Sequence, residues 1–449
     1  MFEHAYRYAR PSSLRTGATP RLTLETSGPD SDPNPHFFEG RLRQPRLVAE
    51  LLTAVHLIVG ARFFTPANSV ERAIALADPV VTSGGGLLRF EGFSSCCSAY
   101  IRVDLLPDAY EGDVVGKGTT NVDFNAPMRA ALASVRDETG LSLSVGSDVV
   151  TLRSGGLDVT ERKVPLPTRW LRGMVEVQSY QAGMRLRLQA KPIEALRFLR
   201  TLPKTSTSRT PLWISRVANG LASSTRPSSS GVRITEVARL RVLQALLPRA
   251  TSLSVFADDT HQASTWVLDF GSARLSLVLS SEVWRGFSGE GQALLSLIRA
   301  GDGDARTLAH VRAALNWQAA IEANELAAQL GVDSGAVDDA LRTLGASGLV
   351  GFDVSLGRFF HRVLPFDLTK IEDLHPRLAS ARELLATSAV QVLADRPFTA
   401  TVNSGGVQHR VLEKNDELHC TCPWHAKHHG ERGPCKHVLA ASVLRASNH

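Results

Sequence analysis

Apolar residues recur three and four apart through RLVAELLTAVHLIV (46–59), the spacing of a helix with one buried face. LLRFEGF (87–93) and AYIRVDLLP (99–107) alternate instead and predict strands. NVDFNAPMRAALASV (121–135) returns to helical spacing, with Asn125 ahead of Pro127 at its entry. LSLSVGSDVVTLRSG (141–155) alternates on both sides of Gly146, Ser147 and Asp148, which predicts a hairpin, and KVPLPTRW (163–170) reads as a connector. The series then recurs. AKPIEALRFLRTLP (190–203) is helical, PLWISRV (211–217) a strand, and VRITEVARLRVLQALL (232–247) helical again. ATSLSVFADD, STWVLDFG and ARLSLVLS follow as strands. Residues 42–167 and 168–298 therefore read as a duplicated α+β unit. Residues 1–41, polar and broken by Gly and Pro, read as a flexible or loosely packed arm.

From about residue 300 the pattern turns helical. DARTLAHVRAALNWQ precedes a short helix ended by Gly331, and Asp333 or Ser334 can cap a second helix running to about Ala346. LVGFDV and RFFHRV then alternate around Ser355, Leu356 and Gly357 as a hairpin. Helix, turn, helix and two-stranded wing over 299–372 resemble the winged-helix domains. Such a domain reads DNA with its second helix, but this one carries Asp338 and Asp339 with Arg342 as its one basic residue, and carboxylates repel phosphate. Arg358, His361 and Arg362 on the wing are the groups that could reach a backbone. RLASARELLATSAVQVLA predicts one long amphipathic helix bridging 373–395.

Composition narrows the picture modestly. With 449 residues and 43% of them hydrophobic, the chain can bury several cores. No apolar run reaches the roughly 20 residues of a membrane span, and the first residues lack the apolar stretch of a secretory signal, so a soluble, cytoplasmic protein with no membrane partner is expected. A net charge of +6 favours polyanionic partners. Five cysteines form no disulfide framework, and a buried apolar role is expected for one of the adjacent pair Cys96 and Cys97.

The other three cysteines are concentrated in CTCPWHAKHHGERGPCKH (420–437). Cys420, Cys422, Cys435 and His437 supply three thiolates and an imidazole, the soft tetrahedral set that zinc prefers. FTATVN and VQHRVLEK flank Ser404, Gly405 and Gly406 as a hairpin, and ELHCTC continues extended, so Cys420 and Cys422 point the same way. KHVLAASVLRA predicts a helix that brings Cys435 and His437 from the other side, with Val438, Leu439 and Val443 buried against the hairpin. One structural zinc would thus staple a unit of roughly 50 residues that has little core of its own. His425, His428 and His429, in the intervening loop, are weaker ligand candidates than His437. The pattern Cys-x-Cys, twelve residues, Cys-x-His over 396–449 resembles the SWIM zinc finger, which implies these four ligands and a DNA-binding or protein-interaction role. The loop also carries Trp424, Lys427 and Arg432, which could meet phosphate or a base; alternatively Trp424 packs over the metal and the charges are solvated.

The duplicated half resembles DNA sliding clamps, on the stretch from Val122 to Arg153 and the connector-like Lys163–Pro167. That resemblance implies helices lining a basic hole, and self-association through strand edges. The helical stretch at 190–204 carries Lys191, Arg197, Arg200 and Lys204 against Glu194. Arg129 and Arg136 lie in or after the other helix of the first unit, with Arg233, Arg239 and Arg241 in its counterpart. Such cations would bind phosphate without reading sequence.

No phosphate loop, dinucleotide glycine run, His-Glu-x-x-His or nucleophile elbow is present. GFSGEGQ (286–292) is an ordinary turn, and Asp258, Asp259 and His261 read as a hairpin turn rather than a hydrolytic site. The fold class expected is multidomain α+β: duplicated clamp-like α+β units, a winged helix and a C-terminal hairpin-helix zinc finger. The function expected is that of a non-catalytic, DNA-associated adaptor that recruits protein partners, among them an ATPase. A protein-only adaptor is the alternative, and an enzyme with an unrecognised site a further one.

Overall fold

A computed structural model describes residues 13–15, 21–23, 36–64, 79–113, 116–121, 126–146, 149–154, 157–162, 168–203, 210–284, 286–289, 291–299, 305–364, 375–415 and 417–447. Lys163–Pro167, Lys204 and Val122–Asn125 fall outside that set. Two antiparallel sheets form the body. The larger has eight strands in the order Arg185–Ala190, Ser252–Ala257, Ala263–Asp269, Ala273–Ser280, Ala99–Leu105, Leu87–Phe93, Val80–Gly84 and Gly118–Asn121. At its middle Ala273–Ser280 pairs with Ala99–Leu105, from Ala273 opposite Leu105 to Leu279 opposite Ala99. The two expected units therefore share one continuous sheet and one core. The smaller sheet has five strands, with His36–Leu42 between Ser142–Gly146 and Tyr110–Asp113. Residues 36–41, expected in the arm, thus belong to the body, where Phe38 is fully buried.

The helix Pro45–Gly60 forms as its spacing predicts and packs on Leu87–Phe93 and Ala99–Leu105. Ala126–Ser134 and Val242–Leu246 lie against it, and Pro192–Thr201 against Val242–Leu246, which makes a layer of four helices. The stretch 232–247, expected as one helix, is instead the short strand Val232–Ile234, a turn at Glu236 (φ +47°), a 3-10 turn and Val242–Leu246.

Residues 168–170, read as the end of a connector, instead open a helix, Thr168–Gln181, whose β-branched and glycine positions disguise it in the sequence. It is central to the molecule: Trp170 meets Phe93 edge-on, Tyr180 meets Phe287, and Glu176, Gln178 and Gln181 are all buried. The Glu176 carboxylate accepts from the Gln292 (2.8 Å) and Ala293 (3.4 Å) amides at the start of helix Leu294–Arg299.

Helices Ala305–Ala313, Ala323–Leu330 and Ser334–Ala346 and the hairpin of Val350–Asp353 with Arg358–His361 follow the predicted layout. The Asp333 side chain caps the third helix by accepting from the Gly335 amide at 2.8 Å. Ile321 donates to the Phe359 carbonyl at 2.7 Å and adds a bridge to the wing. The wing covers the polar face of the large sheet. Arg102 donates to the Phe352 carbonyl (2.9 Å) and pairs with Asp104 and Asp353, both at 3.1 Å. Arg362 pairs with Glu91, which also accepts from the Tyr100 hydroxyl, and Arg89 lies 3.4 Å over the Phe360 ring. Burial opposes ionisation of Asp353, but Arg102, Arg274 and Arg89 outweigh it and hold its carboxyl down at about 2. Alternation at Arg89, Glu91, Arg102 and Asp104, which resembles a solvent-facing strand pattern, thus marks an internal docking surface.

The bridging segment also differs from expectation. A helix covers Pro376–Ala386, Ser388 turns the chain at φ +51°, and Val390–Asp395 is a strand paired with Phe398–Ser404. The C-terminal sheet accordingly has four strands, one more than the expected hairpin and the extended segment after it. Among the described residues, no helix is long and apolar enough to cross a membrane.

Candidate metal centre

Cys420 ends the strand Glu417–Cys420, where pairing opposite Val411 fixes its backbone. Cys422 is the N-cap of the short helix Pro423–His428, and its sulfur accepts from the His425 amide at 3.4 Å. Cys435 immediately precedes the helix Lys436–Ser447; its sulfur accepts from the Val438 amide at 3.4 Å, and His437 sits in the first turn. Two helix N-termini therefore face two of the sulfurs and favour their thiolate forms, although burial outweighs this at Cys422 and pushes its thiol up.

The four side chains converge from these three elements. Their donor atoms all lie within 4.8 Å of one another and all four residues are buried. His437 Nδ1 is 3.7 Å from Cys420 Sγ and 3.9 Å from Cys435 Sγ. A tetrahedron with zinc–sulfur bonds of ~2.3 Å and a zinc–nitrogen bond of ~2.0–2.1 Å has edges of about 3.5–3.8 Å, so the spacing fits that ion. The Cys420 thiol donates to Cys435, and this contact foremost, with help from His437, holds the Cys435 thiol at about 4. The same contact and burial push Cys420 well above the ordinary thiol range. The donor set and spacing form one structural zinc site. All four tetrahedral positions come from the protein, which leaves none for a reacting water. His425 is not among the ligands: its Nε2 lies 3.3 Å from His419 Nδ1, while the His409 ring packs on His437 with centroids 4.3 Å apart.

The unit is packed into the body. Val438, Leu439 and Val443 share a core with Ala293, Leu294, Ile298 and Phe398. Gly433 (φ +74°) comes so close to Gly291 that a Cβ would lie 2.3 Å from the Gly291 carbonyl oxygen, a contact only glycine permits. Arg377 Nη1 donates to the carbonyls of Arg432 (2.9 Å) and Pro434 (3.0 Å), and its guanidinium lies 4.7 Å over Trp424. Sequence reading missed Arg377, His409, Glu176 and Gly291, because their partners lie far along the chain.

No family model matches the chain, and no curated protein matches its sequence. Among solved structures it is similar to the proliferating cellular nuclear antigen of Entamoeba histolytica. That likeness has 10% identity and a TM-score of 0.37, and covers 55% of this chain and 98% of that one. It is also similar to a chain of the PCNA2–PCNA3 complex of Sulfolobus tokodaii, at 6% identity and a TM-score of 0.39, over 54% of this chain and 98% of that one. Both likenesses are partial and of low identity.

The candidate nucleic-acid residues do not share one surface. Arg239 is fully buried, with Nη1 donating to the Ser98 carbonyl (2.9 Å) and Nη2 to the Thr235 carbonyl (2.7 Å), so it presents nothing to a phosphate. Arg233 is half-buried and paired with Glu282. On the wing, Arg362 is buried against Glu91, His361 stacks on Trp317 at 4.9 Å, and Arg358 pairs with Glu322 at 2.5 Å. Trp424 is half-buried, with Arg377 4.7 Å over its ring and the His428 ring 4.4 Å away. Lys191, Arg197 and Arg200 are exposed at or on helix Pro192–Thr201, and Arg129 is exposed on Ala126–Ser134. Lys427 is exposed and Arg432 half-buried beside the metal centre. Asp258 is the turn expected, accepting from the Thr260, Gln262 and Ala263 amides, and Cys97 is buried as expected of one of the pair.

Proposed function

We propose that this chain is a non-catalytic, DNA-associated adaptor whose C-terminal unit is a SWIM-type zinc finger. The observation that carries the reading is the four-helix layer with its surplus of exposed cations. Lys191, Arg197 and Arg200 stand at or on Pro192–Thr201, and the helix's own Glu194 is neutralised by Arg216 at 2.8 Å. Beside it, Pro45–Gly60, Ala126–Ser134 and Val242–Leu246 border an open groove of about 860 Å³ that carries Arg46, Arg129 and Arg136. Glu50, Asp137 and Glu138 balance those three within the groove, so the excess charge lies toward Pro192–Thr201. Such a surface holds the phosphate backbone without reading bases. The winged-helix layout serves here as a scaffold, because its wing is turned onto the sheet, and the zinc unit offers the surface for a protein partner, an ATPase among the candidates.

Fluorescence anisotropy with duplex DNA tests the reading. Binding that falls steeply with salt, and is lost when Lys191, Arg197 and Arg200 are changed to glutamate, is the expected result. No binding at low salt would remove DNA from the proposal and leave the protein-only adaptor.

A further inference from the structure

Beside the metal cage, three helices leave a cavity of about 420 Å³, within the roughly 300–1,000 Å³ typical of small-ligand sites. Arg172 enters it from Thr168–Gln181, Arg377 from Pro376–Ala386 and Lys436 from the start of Lys436–Ser447. No carboxylate is among its described lining residues. Two polar groups there, outside the cage, lack partners among the described residues. Arg172 Nε and Trp424 Nε1 are buried without a hydrogen bond. His375, only 6% exposed, lines the same space. Buried polar groups are ordinarily satisfied, so this cluster points to a ligand.

Charge decides what kind. A zinc cage of three thiolates and one neutral imidazole carries about one net negative charge, and the three cations exceed it. They come from three separate elements, which suits an oxyanion with several oxygens better than a carboxylate that one arginine can satisfy. Arg377 is held in place by the Arg432 and Pro434 carbonyls, so that part of the site is preformed. Leu294, Pro376 and Pro423 add apolar wall for an organic body.

We propose that this cavity binds a phosphomonoester, with Arg172, Arg377 and Lys436 taking the phosphate oxygens and Trp424 Nε1 donating a further hydrogen bond. The site lies on elements other than the basic helix layer and stands or falls independently of the DNA reading.

Calorimetric titration of the zinc-loaded full chain tests it, using inorganic phosphate, a nucleoside monophosphate and the matching nucleoside. Both phosphates are expected to saturate one site per chain while the nucleoside gives no binding. Arg172→Gln and, separately, Lys436→Gln should each weaken binding by about tenfold or more, with zinc content unchanged in both. An oligonucleotide compared with and without a terminal phosphate distinguishes a strand end from a free metabolite as the source. Failure of both phosphates to bind, or binding that neither substitution alters, would overturn the proposal.

Discussion

Serine in place of Cys422 is expected to empty the cage and unfold the C-terminal unit. Cys422 is 1% exposed, caps Pro423–His428 and supplies one of four ligands that converge from three elements. Structural zinc contributes about 10–16 kcal/mol of apparent free energy in zinc-finger peptides, comparable to the entire ~5–15 kcal/mol stability of a domain. Without the ion, the apolar core around Leu439 and Val443 and the Arg377 hydrogen bonds remain, but the strand end, the short helix and the start of Lys436–Ser447 lose the link that draws them to one point. Hydrogen exchange should therefore show residues 417–447 losing protection. The strands Ala99–Leu105 and Ala273–Ser280, in a separate core, should keep it. Retained zinc and unchanged protection in the mutant would show that the thiol is not a ligand.

The second large effect is expected at the buried charges beneath the wing. Glu91→Ala leaves the Arg362 guanidinium, 1% exposed at its side chain, without its carboxylate, and deprives the Tyr100 hydroxyl of its acceptor. Removing one partner of such a pair costs about 3–5 kcal/mol, which should appear as a lower urea midpoint. The double substitution Glu91→Leu with Arg362→Met should recover most of the loss, because no charge then remains buried alone. A single mutant within about 0.5 kcal/mol of the parent would mean that the wing does not dock through this pair.

How much the sequence discloses depends on the distance between partners. The metal ligands are legible because their spacing, Cys420 at a strand end with Cys422 two residues on and Cys435 and His437 two apart at a helix start, aims them at one point, although Cys422, expected on the strand, caps a short helix instead. Pro45–Gly60, the hairpin over 142–154 and the helices and hairpin of 305–361 are legible for the same reason: local periodicity and caps determine them. Thr168–Gln181 is not, because its valines imitate a strand and the Glu176, Gln178 and Gln181 side chains, which read as solvent-facing, are buried. Val390–Asp395 reads as a continuation of the preceding helix because only the turn at Ser388 and the partner strand Phe398–Ser404 separate them. Arg239 and Arg362 read as surface cations, yet their acceptors, the Ser98 carbonyl and Glu91, lie more than a hundred residues away. Composition counts such arginines toward phosphate binding when folding has already used them.

The account depends most directly on the cage of Cys420, Cys422, Cys435 and His437. X-ray absorption at the zinc edge of the protein as purified should give three sulfur neighbours at ~2.3 Å and one nitrogen at ~2.0–2.1 Å. Two or fewer sulfurs, an oxygen in the coordination shell, or no zinc at all would contradict it.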